Sequence, residues 1–218
     1  MFTLSDFPSP VNTCETAVVN GLLRKAHRGC YNIPSRLRGD IQTQGGISMT
    51  FAELSAARYS LRKFSDAPVE QEKLDLILEA GRNAPTAHNK QPQRIFVLRT
   101  PEALEKADAC MGSHFHPPVI LAVAYDAASA WNREEDGKNH GEIDTAIAVT
   151  QMMLQAADLG LGTTYVGMFD PEKLLAAFPE MAGLTPIAML PLGYPAENAR
   201  PSRLHADRKP VEELVKYL

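Results

Sequence analysis

Cysteine is scarce in this chain, and the scarcity excludes several classes of protein. Cys14, Cys30 and Cys110 are few, widely spaced and odd in number, which argues against a disulfide framework and against a zinc knuckle. Long apolar runs are missing too. Val119 to Ala124 is among the longest, against the roughly 20 residues a bilayer span needs. There is no excess of positive charge: the formal net charge is −4, so no global field draws the chain to nucleic acid. No basic start followed by an apolar h-region is present, so no signal peptide is expected, and a reducing cytoplasm is the expected compartment. Internal repeats are absent. What is there is a chain of 218 residues, 44% hydrophobic, enough for one substantial domain with a real core.

From Met49 onward the pattern is regular. Thr50 and Glu53 form a capping-box pair at a helix start. Leu74, Ile77, Leu78 and Gly81 share a helical face. Ile95 to Leu98 and Val119 to Ala124 read as buried strands, with a short helix from Pro101 to about Ala109 between them. Ile143, Ala146, Ile147, Thr150, Leu154 and Ala157 mark a long helix that Gly160 and Gly162 end. Thr163 to Val166 reads as a third strand, and Asp170-Pro171 opens a helix carrying Leu174, Leu175 and Phe178. Ile187 to Leu192 reads as a fourth strand, with Pro191 placing its end at an edge or bulge. Pro210 to Leu218 is a short helix or an arm. Interleaved helices and strands predict an α+β fold, a central sheet covered by helices.

Four segments carry chemistry. Arg58-Tyr59-Ser60-Leu61-Arg62-Lys63-Phe64 packs three cations and a hydroxyl into seven residues, which suits a phosphate dianion. Alone, such a run is more often a solvated face. Ala84-Pro85-Thr86-Ala87-His88-Asn89-Lys90-Gln91-Pro92 links a helix to a strand. It reads as a capped loop, or as a proline-stiffened rim whose amides read the edge of a planar heterocycle. Gly160 to Asp170 joins a helix end, a strand and a new helix, and Gly167 permits close backbone approach to a ligand. No GxGxxG fingerprint opens a helix there, which disfavours a Rossmann site. Arg208-Lys209-Pro210 is again phosphate-friendly.

In this order the four segments resemble the nitroreductase family of FMN-dependent oxidoreductases, over roughly residues 49 to 218. RYSLRKF is similar to the family's R-R-S-x-R-x-F, and APTAHNKQP to its A-P-S-x-x-N-x-Q-P. DTAIAVTQMMLQAADLGLGTTYVGMFD is similar to its long central helix and the G-L-G-T-x-W-x-G-x-F-D that follows. LPLGYP and RKPVEEL resemble its last strand and basic closure. The resemblance implies a mixed or antiparallel sheet of four to five strands flanked by helices. It also implies a homodimer with FMN at the subunit interface and the long helix buried there.

It further implies roles. Arg58, Ser60 and Arg62 would hold the FMN phosphate, ribityl chain and pyrimidine edge, with Tyr59 contributing backbone and Arg208 completing the phosphate site. Pro85, Thr86, Asn89 and Gln91 match the loop that reaches the flavin from the partner subunit. Val166, Gly167 and Met168 match the backbone facing the reactive edge of the ring. Arg62 is the candidate cation for the negative charge that builds on the reduced ring. NADH or NADPH would supply electrons and an electron-poor small molecule, a nitroaromatic or quinone, would accept them in a ping-pong cycle. No catalytic side chain is named, since water can supply the protons. Alternatives are a dehalogenating or flavin-fragmenting enzyme on the same fold, or a flavin-binding sensor or store without turnover. Tyr165 stands where many members have tryptophan, and Gln93 replaces a common aromatic. The short Cys110 to Pro118 segment leaves no counterpart for contacts larger relatives make.

Other candidates have plainer readings. His114 and His116 could share a strand face, but no acidic or cysteine partner is close in sequence and Pro117-Pro118 suggests a loop; no metal site is expected. Asp136 to Gly141 lacks the carboxylate spacing of a calcium loop. It reads as a turn, a candidate lid with Trp131. Cys110 has no cue for a low pKa and reads as a packed thiol.

Residues 1 to 48 differ from the rest. They hold Pro8, Pro10, Pro34 and five glycines, with only Ala17 to Ala26 able to form a short helix. The segment is expected to be poorly ordered or to pack as an arm; Arg38-Gly39-Asp40 within it reads as chance. Gly45-Gly46, shortly before Met49, is what a translated bacterial ribosome-binding site would encode. The natural chain is then expected to begin at Met49. Mass spectrometry of the protein from its native source should find Met49 at the start; peptides from residues 1 to 48 would contradict this.

Overall fold

The apolar run in the middle of the chain sets the architecture, because a strand without polar alternation must be covered on both faces. The computed structural model describes residues 49–218; the expected helix at 17–26, the 38–40 motif and Gly45-Gly46 lie outside the described residues. The elements in order are α1 Phe51–Ala57, α2 Gln71–Arg82, β1 Gln93–Leu98, α3 Pro101–Asp108, β2 Val119–Tyr125, α4 Gly141–Asp158, β3 Gly162–Thr163, α5 Pro171–Ala177, β4 Thr185–Gly193 and α6 Val211–Leu214. The sheet has the order β1-β2-β4-β3 and every pair is antiparallel. This is the α+β fold with a four-stranded sheet that the sequence implied.

Strand β2 is buried along its first six residues. Leu121 and Val123, with Leu190 and Leu192 of β4, meet Leu74, Ile77, Val149 and Met152 of α2 and α4. On the other face Ile120, Ala122 and Met189 meet Ala107 of α3, Leu174 of α5 and Met181. Each large side chain buried this way contributes about 1.5–3 kcal/mol. Helix starts follow their signals: Glu53 N–H donates to Thr50 Oγ1 at 3.3 Å while Thr50 N–H donates to Glu53 Oε2 at 2.7 Å. Lys173 N–H donates to the Asp170 cap at 3.0 Å.

Three expectations change, and the apolar surface of α4 is resolved into two faces. Strand β3 is only two residues long, not Thr163 to Val166, and Val166 makes a lone bridge to Met189. The cause lies in β4, which does not end at an edge but is the inner strand between β2 and β3. Pro191 sits inside it, opposite Ile120. Its carbonyl takes Thr164 N–H at a long 3.4 Å, but its ring has no N–H to return, so the β3 ladder breaks there. Strand β1 is an edge strand, half-buried except for Leu98. In α4 the core face is Asp144, Thr145, Ala148, Val149, Met152 and Ala156, whereas Ile143 and Ile147 stay 38% and 36% exposed. An apolar stripe on two sides of one helix does not say which side meets the sheet.

The basic segment is held on this frame at its middle by Leu61 and at its end by Lys63 O, which accepts Ala196 N–H at 3.0 Å, and by the bridge from Phe64 to Pro195. Leu61 is fully buried, its N–H donates to Thr163 O at 2.9 Å, and Ser60 bridges Thr163 in parallel. Gly162 makes room: a Cβ there would stand 2.3 Å from Leu61 Cδ2 and 2.8 Å from its Cβ. Gly162→Ala should therefore destabilise the protein by about 1–3 kcal/mol in chemical denaturation. An unchanged midpoint would show that Leu61 can move aside.

Candidate functional site

Positive charge gathers in one cleft of ≈ 240 Å³, lined by Arg58, Tyr59, Ser60, Arg62, Ser202, Leu204, His205 and Arg208. The α1 helix ends at Arg58, and the extended chain that follows is pinned to β3 by Leu61, so Arg58, Ser60 and Arg62 face the cleft. Residues 202–208 close it through a short turn whose cap, Ser202, accepts Leu204 N–H at 3.3 Å. Tyr59 meets His205 edge-on at 6.2 Å.

The electrostatics are one-sided. Arg62 Nη1 donates only to Ser60 O at 3.3 Å, and Arg208 Nη1 to Leu204 O at 3.3 Å and Asp207 O at 2.8 Å. Among the described residues none of the three guanidinium groups has a carboxylate partner. Arg58 Nη1 is buried without a hydrogen-bond acceptor. Burial, and then the charge of Arg208, push the Arg58 guanidinium below its usual range. A buried donor facing a like charge is unfavourable unless an anion completes it. The donor set, planar forks with hydroxyl groups beside them, fits a phosphate dianion.

The structure gathers some of the expected residues here and not others. Arg58, Tyr59, Ser60, Arg62 and Arg208 line the cleft together. Pro85, Thr86, Asn89 and Gln91 do not; they form a tight loop, with Gln91 N–H donating to Thr86 Oγ1 at 3.1 Å and Gln91 Nε2 to Asn89 Oδ1 at 3.1 Å. Val166, Gly167 and Met168 follow β3: Val166 is buried, Met168 is 66% exposed, and the backbone at Gly167 is open to solvent. Ser202 and His205 line the cleft without having been singled out in the sequence. The hint was present, since Ser202 is a good helix-cap residue and sits just before Arg203, His205 and Arg208.

The other candidates have these surroundings. Trp131 stacks on His88 at 4.9 Å and meets His140 edge-on at 4.7 Å, so it packs beside the 84–92 loop. Asp136 anchors a turn, accepting from Arg133 Nε at 2.8 Å and Lys138 N–H at 3.1 Å. His114 Nδ1 lies 2.6 Å from Asp108 Oδ2. Burial pushes the Cys110 thiol up, and its Sγ lies 3.1 Å from Lys106 O.

Comparison with known proteins identifies the family. A profile described as the nitroreductase family matches residues 56–115 and 105–194. A nitroreductase family protein from Clostridium difficile 630 is 38% identical, with a TM-score of 0.73 over 78% of this chain and 98% of that chain. A nitroreductase-like protein from Desulfovibrio desulfuricans, solved in complex with FMN, is 28% identical, with a TM-score of 0.64 over 77% of this chain and 95% of that chain. The FMN reductase [NAD(P)H] of Bacillus subtilis is 29% identical over 158 residues, 64% of each chain. With the profile spanning well over half of its residues, the chain belongs to the nitroreductase family.

Proposed function

We propose that this chain is an FMN-dependent NAD(P)H oxidoreductase that works as a homodimer. The observation that carries the reading is the buried, unpartnered Arg58 Nη1 beside Arg208. The names of the relatives support the same ligand and electron donor. In this reading Arg58 and Arg208 bracket the FMN phosphate, with Ser60, Ser202 and the Tyr59 backbone in reach of it. Arg62, exposed and held only by its bond to Ser60 O, is free to turn its fork to the pyrimidine edge. Val166, Gly167 and Met168 lie along the ring, where open backbone at Gly167 lets substrate approach. When bound, FMN supplies two-electron redox chemistry, taking electrons from NADH or NADPH and passing them to an electron-poor acceptor in alternating halves. The side chains bind and orient, and water supplies protons.

The second copy completes the site. The outer face of α4 shows Ile143 and Ile147, and Phe51 and Leu214 are 70% and 68% exposed. Apolar surface of this kind is what a dimer buries. Since Pro85, Thr86, Asn89 and Gln91 do not line their own chain's cleft, in this reading they meet the flavin of the other copy. No helix among the described residues is long and apolar enough to cross a membrane; the cytoplasm, where NAD(P)H is plentiful, is the proposed compartment.

Two outcomes test this. Arg58→Ala and Arg208→Ala should each weaken FMN binding about 10- to 100-fold, the scale of a lost charged hydrogen bond. Arg58→Met should leave the ligand-free Tm at or above wild type, because the removed charge has no partner. Unchanged affinity in both alanine variants would contradict the phosphate assignment. Separately, NADH or NADPH should bleach the bound flavin and a quinone or nitroarene restore it. A flavin that neither donor reduces would mean a sensor or store.

A further inference from the structure

The 84–92 loop has an uncommon backbone. His88, Asn89 and Gln91 have φ of 51°, 53° and 49°. Three side-chain-bearing residues in the left-handed region so close together persist only where the surroundings over-determine them. Within the loop, Asn89 N–H donates to Thr86 O at 3.0 Å and Lys90 N–H to Ala87 O at 3.1 Å. The charged anchor comes from the body of the protein: Ala87 N–H donates to Asp144 Oδ1 at 3.0 Å.

Asp144 is 2% exposed. It lies in the first turn of α4, where the helix end favours a carboxylate. Its N–H donates to His140 O at 2.9 Å, and His140 N–H donates to Trp131 O at 2.9 Å. Trp131 in turn stacks on His88. The start of α4 therefore grips the loop twice, at Ala87 and at His88. Asp144 Oδ2 has no partner among the described residues, so Ala87 is the hydrogen bond that compensates this buried carboxylate from across the fold. A carboxyl group is a poor choice at a core position unless holding that amide is its purpose.

We infer that Asp144 is a positioning residue. It touches no ligand; it fixes Ala87 so that the left-handed turn forms and presents Asn89 and Gln91 at a set angle. The link from that angle to flavin binding rests on the proposed reading of the loop, whereas the hold on the turn does not.

The test compares the full chain with Asp144→Ala, Asp144→Asn and Ala87→Pro, with and without FMN. Asp144→Ala should lose amide-exchange protection at Ala87 to Gln91 while β2 keeps its own, and FMN binding should weaken about tenfold. Asp144→Asn retains an acceptor and should restore both. Ala87→Pro removes the donor instead, at the first position of the turn, where proline is tolerated. It should weaken FMN binding as Asp144→Ala does, and its Tm should fall because the buried carboxylate loses its donor; adding Asp144→Ala to Ala87→Pro should recover Tm without recovering FMN affinity, a split that a merely structural carboxylate would not produce. Wild-type FMN affinity in Ala87→Pro, or undiminished local protection in Asp144→Ala, overturns the inference. If Asp144→Ala fails to fold, Ala87→Pro decides. If the wild type binds no FMN, the parent reading falls, and exchange in the ligand-free chain still decides the role of Asp144.

Discussion

Like charges must be held together before any ligand arrives, and the burial of Leu61 does this. Arg58 and Arg62 flank a residue with no solvent exposure, tied by its N–H to Thr163 O. The seat exists only because position 162 has no side chain to collide with Leu61. Folding energy from the core is thus spent to keep Arg58 and Arg208 in one cleft against their repulsion. A charged group that weakens the folded state where it stands is a sign of preorganisation for a ligand.

The same economy runs through α4. One face fills the core with Ala148, Val149 and Met152. The opposite face leaves Ile143 and Ile147 for a second copy in the proposed dimer. Its first turn holds the 84–92 loop through Asp144, and just past its end Gly160, with a φ of 76°, delivers the chain to β3. Core, proposed interface, loop and cleft therefore share one rigid element. A substitution at its start reaches the loop without passing through the cleft.

Much of this could be read from the sequence, and the exceptions have physical causes. The capping box at Thr50, the all-apolar β2 and the basic segment were legible because each is a local pattern of adjacent residues. Which side of α4 meets the sheet was not, because its apolar residues lie on two sides. The length of β3 was hidden because it depends on the missing N–H of Pro191, a residue of another strand. Ser202 and His205 were overlooked since only the fold brings them to Arg58. The left-handed turn at His88 and Asn89 left no glycine to announce it, and Asp144 looked like one more helix-start acid.

The central claim is that the cleft at Arg58 is built for a phosphate carried on a flavin. The most direct measurement is calorimetric titration of the protein with FMN and with riboflavin, which differ only in that phosphate. The account predicts that riboflavin binds at least about 100-fold more weakly, in line with the loss of two charged hydrogen bonds. It also predicts that Arg58→Ala narrows the difference by about 10- to 100-fold. Equal affinity for the two flavins would contradict it.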